Sequence, residues 1–177
     1  DPARPDSVLP AALVADGWRV AGPVRSSPAV DSWPVELREA TGTTTAEFNR
    51  YRSGALTTGA TYEHVMRAAL PCLPQVRAHG TVDFGGARAD YDVTTCATAG
   101  TALDRWFADT GAGEARALTL LPALARLLEQ LAAGGVAAIV LEPSHLLLTE
   151  HGELHLTTTG ALVATEESST DGVLRYR

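Results

Sequence analysis

Residues 136–160 read Val-Ala-Ala-Ile-Val-Leu-Glu-Pro-Ser-His-Leu-Leu-Leu-Thr-Glu-His-Gly-Glu-Leu-His-Leu-Thr-Thr-Thr-Gly. Leu146 to Thr149 and Glu153 to Thr157 predict two short strands, hinged at His151-Gly152. Just before them, Leu120, Leu121, Leu124, Leu127, Leu128 and Leu131 recur at intervals of three and four. That spacing predicts one long helix, Glu114 to Ala133, with an apolar stripe to bury. Gly134-Gly135 ends it. A shorter helix is expected at Thr101 to Asp109. After the hairpin, Thr165 to Asp171 is acidic and rich in Ser and Thr and reads as a loop.

Upstream of Gly100 the chain is rich in strands. Leu9 to Val14 is a short apolar lead-in or brief helix. Trp18 to Val24, Val35 to Ala40 and Thr43 to Tyr51 read as three antiparallel strands, with a Ser/Pro loop at Arg25 to Ser32. Tyr62, Val65, Met66, Ala69 and Leu70 have helical spacing, so Thr61 to Leu70 is a helix stopped by Pro71. Val76 to Asp83 and Ala89 to Cys96 are two further strands turned at Gly85-Gly86. The fold class expected is α+β.

Bulk properties narrow the function classes. The chain has 177 residues, enough for one domain or a small two-lobed one. No apolar run approaches the ~18 residues that cross a membrane. The first ten residues are polar and Pro-rich and read as a linker, and a chain cut from something longer, or processed, is expected. Net charge is −7 with no basic stripe, which disfavours nucleic acid as a partner. Cys72 and Cys96 form no CxxC; this suits a reducing, cytoplasmic setting, although a single disulfide stays open. The chain has no lysine, and all fourteen of its basic residues are arginine. With its abundant Ala and Gly, this is the composition of a protein from a high-GC bacterium.

Leu141, Pro143, Leu146, Leu147, Leu148, Thr149, Gly152, Leu154, Leu156 and Gly160 keep the frame of a known pattern. Together with the preceding order of strands and helices, Trp18 to Val163 resembles the eukaryotic-like protein kinases of bacteria. The resemblance implies a five-stranded antiparallel N-lobe with one helix, then a reduced helical C-lobe. The expected division is 1–15 lead-in, 16–97 N-lobe, 98–164 partial C-lobe and 165–177 acidic tail. Kinases carry His-Arg-Asp-Leu-Lys-Pro-Glu-Asn, then Asp-Phe-Gly, in the segment that 136–160 resembles. Here the triplet becomes Ala138-Ile139-Val140, so Val140 stands for the aspartate that takes the substrate proton, and valine does no acid–base chemistry. His145 replaces the magnesium-holding asparagine and Thr158 the Asp-Phe-Gly aspartate; both are poor ligands for a hard cation. Asn49, in Phe48-Asn49-Arg50-Tyr51-Arg52, stands where the phosphate-binding lysine belongs. Glu63 falls where its glutamate partner would be, and without the lysine reads as a solvated helix residue. Of the Gly-rich loop, Ala21 to Ser27 keeps at most Gly22, too little for a close backbone approach to phosphates.

Phosphoryl transfer is mostly positioning and charge neutralisation, and the resemblance implies four independent losses. The family also continues with an activation segment and further helices, so a truncated C-lobe is expected at Arg177. The implied function is an inactive pseudokinase acting as a protein-interaction, scaffolding or regulatory module of a larger bacterial protein. It would have no catalytic residues, cofactor or metal, and its partners would be proteins. Self-association through the truncated lobe, where the Glu114–Ala133 stripe lacks its usual cover, is a further expectation. The alternative is a nucleotide sensor working without magnesium, or a residual phosphotransferase, with Arg50 or Arg52 on phosphate.

Remaining signals are weaker. His145, His151 and His155, with Glu150 and Glu153, fall within eleven residues, but no cysteine or supporting pattern accompanies them, and polar turn residues explain them better than a metal. Cys72 lies among prolines and apolar residues, as a structural cysteine does. Trp18, Trp33 and Trp106 read as packing residues. Thr165 to Thr170 is open to phosphorylation, with a solvated loop as the favoured reading.

Overall fold

The computed structural model describes residues 8–27, 29–40, 42–52, 57–84, 86–95, 99–110 and 117–165. The protein is α+β, and every strand pairing with a described register is antiparallel. The chain divides into two units: Asp1–Ala55 with Val76–Thr95, and Leu56–Gln75 with Cys96–Arg177. The helix expected within the 16–97 lobe therefore groups with the second unit.

The first unit is a six-stranded sheet: β1 (Trp18–Val20), β2 (Arg25–Ser26), β3 (Val30–Glu39), β4 (Gly42–Tyr51), β5 (Gln75–Phe84) and β6 (Ala87–Thr95). Its order is β1-β3-β4-β6-β5, with β2 also on β3. Helix α1 (Ala11–Ala15) precedes it. Trp33, Val35, Phe48 and Val93 alternate onto one face and pack with Leu9, Leu13 and Trp18 as the core.

This sheet differs from the expected five strands at one place. The single strand foreseen at Trp18 to Val24 is split, and β2 occupies part of the foreseen loop. Val20 pairs with Val35 and Arg25 with Ser32, so four residues on one strand face two on the other. Pro34 sits opposite that bulge. Lacking an N–H, it can give the ladder only its carbonyl, which accepts from Ala21 at 2.8 Å. β3 also runs five residues further back than Val35; Pro34 hid this, because a proline inside a strand reads as a break.

The second unit holds α2 (Gly59–Ala68), α3 (Leu103–Thr110), α4 (Leu121–Ala133) and two small sheets. One has the order β10-β9-β7, from β10 (Leu154–Leu156), β9 (Leu146–Thr149) and β7 (Gly100–Ala102). The other pairs β8 (Val136–Ala138) with β11 (Leu162–Ala164). The hairpin at Leu146 to Thr157 forms as expected, Gly152 turning it at φ 76°. β7 replaces the start of the helix expected at Thr101. A Cβ on Gly100 would lie 2.6 Å from the Leu148 carbonyl, so this approach of β7 to β9 requires glycine. β11 went unforeseen, being three residues long and paired far from its neighbours in sequence.

The long helix also differs. Its regular part starts at Leu121, with Pro122 in the first turn, where the missing N–H costs nothing. Residues 114–116 lie outside the described ones. Ala123, Leu127 and Leu131 form the buried face, while Leu121 and Leu128 are 54% and 44% exposed. The stripe is thus rotated, and part of it faces solvent.

Candidate functional site

Two places gather the residues singled out by sequence, one in each unit. The first is a polar row across β3, β4 and β6. Ser32 lies opposite Asn49, and Asn49 opposite Asp92. All three point away from the apolar core face, because they alternate with Trp33, Phe48 and Val93. Asn49 and Asp92 are fully buried. The Ser32 hydroxyl donates to Asn49 Oδ1 at 2.7 Å. Asn49 Nδ2 donates to Asp92 Oδ1 at 2.9 Å and to Thr94 Oγ1 at 3.1 Å. The Tyr51 hydroxyl donates to Asp92 Oδ2 at 2.7 Å. Asn49 thus uses its amide on both ends and serves as the joint of a buried network. Sequence reading placed Asn49 but missed Asp92 and Tyr51. Nothing local marked Asp92, which alternates with Tyr91 and Val93 and reads as a residue of the polar face.

Close by in sequence, Arg50 and Arg52 both bind Asp31. Arg50 Nη2 lies 2.6 Å from Asp31 Oδ2 and the guanidinium stacks 5.0 Å from the Trp33 ring. Arg52 donates to both Asp31 oxygens, and Ser26 adds a bond at 2.7 Å. Asp31 is only 3% exposed. Its carboxyl is held well below the usual carboxylate range, first by the Arg52 hydrogen bond, against the opposing effect of burial, with Arg50 and Ser26 adding to the lowering. Gly22 lies in the bulge, where a Cβ would stand 2.7 Å from Pro34 Cγ. Its lack of a side chain serves strand packing.

The second place is the segment from β8 to β11. After β8, the Ile139 N–H donates to the Ala161 carbonyl at 2.9 Å. The Ile139 and Val140 side chains are 54% and 43% exposed. A single 3-10 turn, Pro143–His145, leads into β9. The His145 carbonyl accepts from the Thr157 N–H at 2.9 Å, while its mostly buried ring lies 3.9 Å from Glu142. Thr158 and Thr159 are buried. The following backbone is tied by α2 and the residues before it. The Thr57 hydroxyl donates to the Thr159 carbonyl and accepts from Leu162 N–H at 2.9 Å. Thr61 Oγ1 accepts from Ala164 N–H at 3.3 Å. Thr58 caps α2 by accepting from Thr61 N–H at 3.1 Å. Thr57 and Thr61 were missed as site residues; the Thr58-to-Thr61 spacing was the only hint, and it predicts a cap and nothing more.

The other residues do not converge. Glu63 is exposed on α2 and has no ion pair among the described residues. His151 is exposed beside Glu150, and His155 lies 3.7 Å from Glu153. Among the described residues, no three His, Cys, Asp or Glu side chains come together as a metal site would require. Cys72 is buried, which pushes its thiol up and away from the reactive thiolate. Cys96 and 166–170 lie outside the described residues, as does nearly all of the tail foreseen at 165–177. No described helix is long and apolar enough to cross a membrane.

No family model matches the chain, and no curated protein is similar to it.

Proposed function

We propose that the chain is a catalytically inactive, protein-kinase-like module that works through contact with proteins, as a scaffold or regulatory domain of a larger bacterial protein. The sequence resemblance over Trp18 to Val163 motivates the reading. One observation carries it: at the place of the catalytic base stands Val140, preceded by Ile139, and both are solvent-exposed and apolar. An exposed aliphatic pair neither accepts a proton nor holds magnesium, and it suits burial against another protein. The order of short elements from β8 through the 3-10 turn to β11 is consistent with the same reading. So is Asn49, whose amide is already committed to Ser32, Asp92 and Thr94.

The nucleotide-sensor alternative needs Arg50 or Arg52 on phosphate. Both are engaged by Asp31, and releasing them would leave that buried carboxylate without its two cationic donors, with the Ser26 hydroxyl still bonded to it. The expected partner is therefore a protein surface and not a nucleotide. A thermal-shift titration with ATP, with and without Mg²⁺, tests this. A ligand at about 100 times its Kd stabilises by about 2.7 kcal/mol, a shift of several degrees. No shift at millimolar ATP is expected; a saturable one contradicts the contact-only reading.

A further inference from the structure

β5 is the last strand of the six-stranded sheet and, among the described residues, pairs on one side only, with β6. It is ten residues long and has no proline. Such an edge offers a row of backbone donors and acceptors to another chain. Val76 is buried, and Ala78 and Val82 pack against the core cluster, so the even-numbered residues face inward. Arg77 and Asp83 fall on the outer face and are exposed. Neither has an ion pair or side-chain hydrogen bond among the described residues. Two exposed charges of opposite sign, without a protein partner among the described residues, thus flank Gly80 symmetrically, three residues to either side.

We propose that this edge is a self-complementary interface, at which β5 pairs antiparallel with β5 of a second copy about a two-fold axis at Gly80. Antiparallel bonding requires outward-pointing residues to meet outward-pointing residues, so the axis passes through a residue and not between two. With the axis at Gly80, Arg77 lies opposite the second copy's Asp83, and symmetry repeats the pair. On the inner face Ala78 lies opposite Val82, and glycine meets glycine at the centre. Moving the axis to residue 79 sets Asp83 opposite Gln75, and moving it to 81 sets Asp83 opposite His79. Only Gly80 matches both charges. The sheet would continue unbroken from one copy into the next. A pairing of one strand buries less than the ~1,200 Å² of a standard interface, so the dimer forms in a concentration-dependent way. This inference does not depend on the inactive-kinase reading.

Charge reversal tests it on the full chain, with weight-average mass followed by sedimentation equilibrium up to about 0.5 mM, where an interface this small assembles. Each single reversal, Arg77→Asp or Asp83→Arg, sets like charges opposite each other twice and is expected to weaken dimerisation by about ten-fold or more. The double variant R77D/D83R restores opposite pairs and recovers the affinity to within about three-fold. Urea midpoints show that the variants stay folded. Leu128→Glu, on the exposed side of α4, leaves the dimer intact. A chain that stays monomeric throughout overturns the proposal, since Arg77 and Asp83 then only guard the edge. So does a dimer indifferent to the single reversals, a double variant that fails to recover, or a dimer lost in Leu128→Glu.

Discussion

The polar row of the sheet and the loop after β8 both stand where the resemblance expects catalytic polar groups, and they fill those places in opposite ways. In the row, Asn49 is fully buried with every end of its amide bonded. In the loop, Ile139 and Val140 are exposed and make no polar side-chain contact. A buried site that gives up a charge must satisfy each remaining polar group, or the fold loses several kcal/mol. An exposed site carries no such demand, and apolar residues there make sense for contact with something else. The contrast separates residues kept for stability from residues open to a binding role.

The largest break in this contrast is expected at Asn49. Asn49→Ala leaves Asp92 short of a donor and Ser32 of an acceptor, and urea unfolding should show a loss of about 3 kcal/mol. Next comes Asp31→Asn, with an expected loss of about 2 kcal/mol at pH 7, moderated by the partial exposure of Arg52. Its sign with pH follows from the lowered carboxyl. The native group stays ionised where the unfolded one takes a proton, so the contribution is full above the unfolded value of about 4 and fades as pH falls below it. The urea midpoints of the native chain and Asp31→Asn should converge in acid.

Gly22→Ala comes third, about 1–2 kcal/mol, because its Cβ meets Pro34 at 2.7 Å. Pro34→Ala in the same chain removes that ring, so a double-mutant cycle should show the two changes to be coupled. The smallest effect belongs to the loop. Val140→Asp should change stability by less than about 0.5 kcal/mol, as substitutions at exposed sites do.

The same division decides what could be read from the sequence. The hairpin at Leu146 to Thr157, strand β4 and helix α2 were legible because local signals agreed there: alternation, a Gly turn, helical spacing before Pro71. The split of β1 from β2 and the backward reach of β3 were not, because a proline in a strand is read as a break unless the bulge facing it is known. The start of α4 was missed because the leucine repeat continues past Pro122. At the candidate site, Asn49, Val140, His145 and Thr158 could be placed by motif. Their surroundings could not, since Asp92 and Thr57 approach Asn49 and Thr159 from strands and turns more than forty residues away.

The central claim is that the chain does not transfer phosphate. Incubating the purified chain with Mg²⁺ and ATP labelled at the γ-phosphate, and following label on the chain and on added protein, tests it most directly. The account predicts no transfer above the protein-free control. Transfer that disappears on substituting one of the chain's own residues, His145 or Glu142 first, would contradict it.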